Sequence, residues 1–367
     1  MPISAVDTIS LAIEHTKQQL FKPLRFGQWT RLAFVGLLAG ELGSGGGFNG
    51  SNFRFPAHPG ASRHFLPSAF GGINPALLAG LIAILVVSGF VIGLIFMYIS
   101  SVMRFILFDS IIAKECRIRQ GWSRRQIEGW RYFLWKLLYL LASFCGIAVL
   151  IGFPAAIAFG MGWLSEPRQH LLPLILGGVV LFFVLLLFVV AMAVVFVLTK
   201  DFVVPQMALE EIGALEAWRR LWPMIQAEMG GYAGYIGMKI AMAIGAGIVI
   251  GIATLIMGLF IAIPTVGLSI LAVLTGKSAG LTWNAYTITL AVVIGCVLLA
   301  IVLYLVALIS VPVVVFFPAY SIYFFAARYP PLSAVLYPAP LAQPQSPPFA
   351  APPYQPPPLP PSPAPAG

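Results

Sequence analysis

The chain has 367 residues, of which 60% are hydrophobic and only 9% are charged, and its mean hydropathy is +0.95. Soluble domains carry charge on about a quarter of their residues, so this composition excludes a soluble globular protein. The net charge of +9 does not indicate nucleic-acid binding, because the basic residues gather beside long apolar runs, where membrane orientation and anionic lipid account for them. We therefore expect an integral membrane protein.

The N-terminal region begins with an amphipathic pattern over residues 5–20, which predicts a helix lying at the membrane surface. Asp7 and Glu14 interrupt this segment, so it lacks the continuous apolar stretch of a signal peptide, and we expect no export cleavage. The next apolar run, Trp29 to Leu42, is short and contains Glu41, and it either crosses the membrane or re-enters on the same side. The Gly-rich loop that follows contains GGGFNG, but no strand precedes it, so it is not a dinucleotide-binding motif.

Five further apolar runs exceed the roughly 18 residues that a membrane-spanning helix needs. They cover residues 75–103, 132–164, 171–199, 231–264 and 286–318. Glycines four residues apart predict close helix contacts at Gly89 with Gly93, Gly230 with Gly234, and Gly247 with Gly251. Because two of these pairs lie in the run 231–264 or at its start, that helix is predicted to be central in the bundle. Thr265 to Trp283 is predicted to be an outer segment. With Trp29–Leu42 as a crossing, the bundle has about six transmembrane helices.

Two stretches between these runs repeat Glu-x-Trp-Arg, at residues 128–131 and 216–219. In the first stretch, Ser123 and Gln126 have the spacing of a capping box that would begin a helix. Ile127, Trp130 and Leu134 then share one helical face, as in an interfacial helix.

The second stretch predicts a similar helix. Pro205 is expected to break the preceding span, and Glu210 and Glu211 suit the first turn of a new helix. Glu216 can pair with Arg220 one turn later. The apolar face is formed by Leu215, Trp218, Trp222 and Ile225.

The distribution of basic residues predicts the orientation. With six crossings, one side of the membrane holds only Arg54, Arg63, Arg168 and Lys277 of the 21 Lys and Arg residues. The positive-inside bias then places both termini in the cytoplasm, in the plasma (bacterial inner) membrane. Arg104, Lys200 and Lys239 are counted here as loop charges that set this orientation.

The last part of the chain differs in composition. Residues 1–328 are predicted to form the helical membrane domain, and 329–367 a disordered proline-rich tail, because such a sequence cannot pack a core. Spacings such as Pro353-Tyr-Gln-Pro356 could dock a groove of a cytosolic partner weakly, or the tail could serve as a spacer.

Recognisable chemistry is absent from the sequence. We find no catalytic motif and predict no catalytic residue, no cofactor and no metal site; His58 and His64 share a loop but have no evident third ligand. Cys116, Cys145 and Cys296 are far apart and predict buried apolar roles. The five long runs contain almost no ionisable residue in their interiors. Glu41, in the shorter run Trp29–Leu42, is the lone candidate and could lie at the membrane interface. Because intramembrane charges mark ion pathways, this argues against an ion-coupled transporter.

Several segments carry a family resemblance: Ala12-Ile-Glu-His-Thr16, LFKPLRFGQWTRLAF, the loop from Phe108-Asp109 to Trp135, and FVVPQMALEEIGALEAWRRLWP. The chain resembles a bacterial membrane family of unknown function, similar to the membrane region fused to some glycerophosphodiester phosphodiesterases. The catalytic domain of those enzymes has no counterpart here. The resemblance therefore implies a membrane module without hydrolytic activity.

Two hypotheses for function remain. The first is a non-enzymatic membrane module that engages anionic lipid headgroups or a cytosolic partner, with the contact made by Arg117, Arg119, Arg124, Arg125 and Arg131. These arginines could instead serve only to set the orientation. The second is a permease or channel for an uncharged or amphiphilic substrate, suggested by the repeated order of span, break and interfacial helix.

Overall fold

The computed structural model describes residues 4–22, 25–41, 75–163, 169–278 and 285–337. Within these ranges every regular element is helical. The chain begins with α1 (Asp7–Phe21) and α2 (Phe26–Ala39), followed by α3 (Pro75–Ile112), α4 (Ile118–Arg124) and α5 (Gln126–Gly160). Next come α6 (Leu171–Leu198), a π-helical turn (Thr199–Val203), α7 (Val204–Glu210), α8 (Ala214–Ala227), α9 (Met229–Ser278), α10 (Ala285–Ala326) and α11 (Pro330–Leu336).

Five of these helical segments are long and apolar enough to cross a membrane: 79–112, 126–160, 171–210, 229–271 and 286–326. The prediction of a polytopic helix bundle is thereby confirmed. The predicted first crossing falls on α2, which has 14 residues and is therefore about 21 Å long. That is shorter than the roughly 30 Å hydrocarbon core. Helix α2 ends at Gly40, whose φ of 78° is the left-handed conformation typical of a helix C-terminus.

The hydrophobic core lies at one end of the five long helices, which we call the packed end. It is formed by residues 102–111, 202–208 and 311–326, covered by α1 and α2. Beyond the packed end the helices expose apolar side chains such as Leu187, Phe260 and Val293. Surfaces of this extent and composition require an apolar solvent, which the bilayer supplies.

Close helix contacts occur at glycines that no small-residue spacing singled out. A Cβ on Gly36 of α2 would lie 2.4 Å from a methyl group of Val314, and one on Gly129 of α5 would lie 2.5 Å from Val102. The predicted contacts at Gly89, Gly93, Gly230, Gly234 and Gly251 are wrong within the described residues, because nothing lies within 4 Å of a Cβ placed there. The segment 231–264 is accordingly not central. Tyr232, Tyr235, Lys239 and Ile250 are buried, whereas its other side chains are exposed or half-buried.

Several predicted boundaries are also wrong. Ser123 does not cap α5 but donates to the carbonyl of Gln120 within α4. Pro205 does not end a span, because the helical run continues from Leu171 through the π-helical turn and Pro205 to Glu210. Glu211 ends α7 in the left-handed conformation instead of opening a new helix. Helix α9 continues through Pro264 to Ser278, so the predicted outer segment begins as part of that helix.

Helix α11 follows residue 328, where the sequence predicts the start of the proline-rich tail. Helix α11 begins with two prolines, which are compatible with a first helical turn. Its Leu332 is fully buried, and Tyr329 stacks on Phe325. The proline-rich tail from 338 onward lies outside the described residues, as do His58 and His64.

Candidate functional site

Five ionisable side chains meet inside the packed end, and we call them the buried ion cluster. Glu41 follows α2, Arg104 lies on α3, Lys200 and Asp201 lie in the π-helical turn, and Lys239 lies on α9. None is more than 9% exposed. Three cations and two carboxylates from four separate segments thus share one desolvated volume.

The contacts within the buried ion cluster form a continuous chain. Lys200 Nζ lies 2.6 Å from Glu41 Oε2, and Arg104 pairs with the same carboxylate. Arg104 also donates to the carbonyl of Lys200 at 3.3 Å, and its Nη2 lies 3.8 Å from Asp201 Oδ1. Lys239 donates to Asp201. Every member therefore has a partner of opposite charge, as buried charges require.

Tyr235 of α9 completes the environment of Asp201 by donating its hydroxyl to Oδ2 at 3.0 Å. The other oxygen, Oδ1, accepts no hydrogen bond from any described residue. A cavity of about 10 Å³ adjoins it, lined by Arg104, Lys200 and Ser321 among others. This volume is about what one water molecule needs.

Lys200 and Asp201 are neighbours in the π-helical turn, yet both side chains are buried. Consecutive side chains in a helix differ by about 100° in direction, so burial of both requires protein on more than one side of the segment, and α8 and α10 pack against it. All five residues of Thr199–Val203 are buried. A π-helical turn adds a residue to the helical repeat, and such turns are frequent at functional sites.

The buried ion cluster corrects two sequence-based predictions. Arg104, Lys200 and Lys239 are not loop charges, because they lie within helices of spanning length. Glu41 is not a lone charge at the interface, since it pairs with Arg104 and Lys200. The argument that the spans lack ionisable residues, and therefore cannot couple to ions, loses its premise.

The five predicted arginines lie around the loop between α3 and α5, but they divide by environment. Arg125 is 4% exposed and makes two 2.8 Å hydrogen bonds to the carboxylate of Asp109. Its Nη1 donates to the carbonyl of Ala208 at 2.7 Å. Arg125 therefore joins α3, α5 and α7, and it is not available as a headgroup contact. Arg131 donates to the backbone carbonyl of Glu211 and joins α5 to the loop before α8.

The remaining three arginines are exposed. Arg117 pairs with Glu115 at 2.9 Å, and because both side chains are solvated this pair is weak. Arg119 and Arg124 make no hydrogen bond or ion pair with the described part of the chain. They lie on α4, which packs along α3 through Gly121 against Ile106.

An aromatic cluster lies beside these arginines. The ring of Tyr98 on α3 lies 6.2 Å from that of Trp122, 5.9 Å from Trp130 and 6.0 Å from Phe133. The predicted apolar face of α5 points outward, with Ile127 67% and Trp130 52% exposed. Aromatic rings and outward apolar side chains next to arginines are typical of the membrane–water interface.

Helix α8 has the amphipathic character that the sequence predicted. Leu215 and Trp222 are exposed, whereas Trp218 and Ile225 pack against the core. The predicted pair of Glu216 with Arg220 is confirmed at 3.2 Å.

The chain near the C-terminus is tied to the segment after α8. Arg328 makes two 2.7 Å hydrogen bonds to Glu228, and this guanidinium lowers the pKa of the Glu228 carboxyl. Tyr329 donates to Glu210, which also pairs with Arg220. These contacts place the start of α11 against the packed end.

His15 is a buried polar residue that the sequence did not distinguish from a solvated one. Its Nε2 lies 3.1 Å from the carbonyl of Ile111, and its Nδ1 lies 3.0 Å from the hydroxyl of Tyr323. A neutral ring that donates from Nε2 and accepts at Nδ1 satisfies both contacts. Burial, followed by the nearby charge of Lys114, lowers the pKa of His15.

A larger cavity opens between the end of α3, α4 and α11, and we call it the arginine cavity. Its volume is about 500 Å³. Its charged lining residues are Asp109, Glu115, Arg117, Arg124 and Arg125. Within the described ranges no three His, Cys, Asp or Glu side chains lie together as metal ligands would.

These features define a polytopic helical membrane protein with a cluster of buried charges at its packed end. The chain belongs to a family of unknown function (DUF7544), whose sequence model matches residues 3–335. No curated protein and no solved structure matches the chain. The resemblance to the membrane region of glycerophosphodiester phosphodiesterases accordingly gains no support from these comparisons.

Proposed function

We propose that this protein is a non-enzymatic membrane module whose packed end engages anionic lipid headgroups on the cytoplasmic face of the bacterial inner membrane. The observation that carries the proposal is the position of Arg119 and Arg124. Both are exposed without a described partner, beside the outward side chains of Ile127 and Trp130. No residue is assigned a catalytic role.

The depth of these residues supports a contact with lipid. The rings of Tyr98, Trp122 and Trp130 suit the headgroup level, and the long apolar helices begin there. Arginine near an anionic surface gains about 1 kcal/mol per residue. Arg119 and Arg124 can realise this gain because no ion pair within the described chain competes for them.

Helix α8 extends the same surface. Leu215, Arg219 and Trp222 are exposed and recur at helical spacing along one side. Helix α11 also lies at this end, so a cytosolic partner that binds the proline-rich sequence after it would meet the protein near this surface.

The test compares the double variant R119Q/R124Q with the matched control K17Q/R25Q, which removes the same charge from exposed positions near α1 and α2. Each protein is purified in maltoside, and its retained phosphatidylglycerol and phosphatidylcholine are measured after reconstitution from an equal mixture. We expect the affinity for phosphatidylglycerol to fall about thirtyfold in R119Q/R124Q, the equivalent of about 1 kcal/mol for each arginine. The control should retain the wild-type fraction. An equal fall in both variants, or none in either, would contradict the proposal.

A second candidate function is a permease, and the buried ion cluster is the observation that favours it. Ionisable residues inside membrane helices often form proton or ion pathways. Asp201 contacts Tyr235 and Lys239 on one side and adjoins the small cavity near Arg104 on the other. This arrangement could couple the movement of a substrate to that of a proton.

Proteoliposomes loaded with a pH-sensitive dye test this candidate. A potential-driven proton flux in the wild type that is lost in D201N but kept in E115Q would support it. If vesicles that contain the wild-type protein are no more permeable to protons than protein-free vesicles, the permease candidate is contradicted.

A further inference from the structure

The arginine cavity has the size and lining of a small-molecule site. Its volume of about 500 Å³ falls within the range of about 300–1,000 Å³ typical of such sites. Ile106, Phe108 and Leu209 form apolar parts of its lining, and Arg117, Gln120 and Arg124 contribute polar groups. Apolar walls with a few convergent polar groups are characteristic of ligand pockets.

The charges of the cavity favour an anion. Both lining carboxylates are already neutralised, Asp109 by Arg125 and Glu115 by Arg117. Arg124 has no described partner and leaves the lining with one uncompensated positive charge. Arg117 can turn toward a ligand at little cost, because its exposed pair with Glu115 is weak.

Arg125 gives this site a fixed wall. Its guanidinium is held by Asp109 and by the carbonyl of Ala208, so it keeps its orientation whether or not a ligand is present. Such preorganisation reduces the free energy that a ligand must spend on ordering the site. The exposed donors of the cavity are then Arg117, Gln120 and Arg124.

We infer that the arginine cavity binds a phosphate group attached to a larger, partly apolar molecule. Guanidinium groups match phosphate oxygens with two parallel hydrogen bonds, and the amide of Gln120 adds a neutral donor. The cavity exceeds the volume of a phosphate alone, and its apolar walls suit the attached group. The phosphate belongs either to a phospholipid headgroup or to a soluble phosphorylated compound.

This inference deepens the proposed function by naming the chemical group bound at that end of the molecule. It also makes a narrower claim, because Arg119 does not line the cavity, whereas Arg124 does. A surface that attracts lipid by charge alone would use both arginines equally. A phosphate site in the arginine cavity would depend on Arg124 and on the empty volume of the cavity.

The experiment uses three variants of the full chain. R124Q removes the unpartnered cavity arginine, R119Q removes one charge from the same helix outside the cavity, and A113W fills the cavity without changing charge. Binding of inorganic phosphate is measured by ³¹P NMR in maltoside micelles, and binding of phosphatidylglycerol is measured in nanodiscs of otherwise zwitterionic lipid. Each variant must elute as a monodisperse species with wild-type helical content.

We expect R124Q and A113W to weaken binding of at least one probe about tenfold or more. R119Q should leave phosphate binding within a factor of two and weaken phosphatidylglycerol binding by no more than about fivefold, the contribution of one surface arginine. Binding of phosphatidylglycerol alone identifies the lipid as the source of the phosphate, and binding of inorganic phosphate alone identifies a soluble ligand. Binding of inorganic phosphate alone would support the phosphate site in the arginine cavity and contradict the proposed lipid contact. Equal losses in R124Q and R119Q with none in A113W would overturn the cavity and leave the lipid contact standing. Failure of both probes to bind would overturn both.

Discussion

Lys200 in the π-helical turn places its ammonium nitrogen 2.6 Å from a carboxylate oxygen of Glu41, 159 positions earlier in the chain. Arg104 of α3 pairs with the same carboxylate. One acidic residue thus connects the end of α2 with two of the long helices. Because all three side chains are buried, removal of the carboxylate would leave two cations in a desolvated volume with less compensation.

Substitution of Glu41 is therefore expected to destabilise the packed end strongly. E41Q keeps the shape of the side chain but removes its charge, and loss of one partner from a buried ion pair typically costs about 3–5 kcal/mol. The midpoint of thermal unfolding in detergent should fall by many degrees. E115Q removes a carboxylate from the exposed pair with Arg117 and should shift the midpoint little. Similar midpoints for the two variants would show that the cluster adds no stability.

The packing of α2 gives a second expectation. In G36A the new methyl group would lie within 3 Å of the Val314 side chain, so α2 and α10 must separate or Val314 must shift. Overpacking of this kind costs about 1–3 kcal/mol. G27A provides the control on the same helix, because nothing lies within 4 Å of a Cβ there and alanine favours helix by about 1 kcal/mol over glycine. Thermal unfolding should therefore show opposite changes, and a G36A protein as stable as wild type would contradict this packing.

These two sites also show how far the sequence could be interpreted. Apolar runs sufficed to predict the five long helices, because length and composition determine what can cross a bilayer. The glycine contacts could not be found in this way. Gly89 and Gly93 have the expected spacing but face outward, whereas Gly36 meets Val314 from a distant part of the chain.

The candidate sites were predictable only in part. Arg124 and Arg125 are neighbours of the same type, yet one is exposed and the other is buried against Asp109, and only the packing of α3 on α5 separates them. Lys200 and Asp201 follow an apolar run and resemble loop charges in the sequence. Both are buried because α8 and α10, the latter distant in the sequence, pack around this segment.

Acidification should weaken the attachment of α1. The buried His15 ring has a lowered pKa in the folded protein, so the unfolded chain binds a proton near pH 6.5 that the folded chain resists. The contribution of neutral His15 to the free energy of unfolding is fully present above about pH 6.5, and it is lost as the pH falls toward the lower pKa of the folded state.

H15Q tests this expectation because it keeps a donor near the carbonyl of Ile111 but cannot titrate. The wild type should lose thermal stability between about pH 7.5 and 5.5, and H15Q should lose less over the same interval. If H15Q shows the full wild-type slope, His15 is not the group responsible.

The arrangement of the long helices predicts which positions share one side of the membrane. Helix α5 has 35 residues and is therefore about 50 Å long, so Ser123 before it and His170 beyond it lie at opposite ends. Helix α1 contacts the Ser123 end through hydrogen bonds from Gln19 to the carbonyl of Ser110 and from Lys114 to Gln18. Ser10 on α1 and Ser333 on α11 should therefore lie on the same side of the membrane as Ser123.

Single cysteines at Ser10, Ser123, His170 and Ser333, in a chain whose native cysteines are replaced by alanine, can be tested with a membrane-impermeant maleimide on intact cells. We expect H170C to be labelled from outside, and S10C, S123C and S333C to react only after the membrane is opened, because the basic residues favour the cytoplasmic side. Labelling of S123C and S333C from opposite sides would contradict the arrangement of α10 and α11 at the packed end.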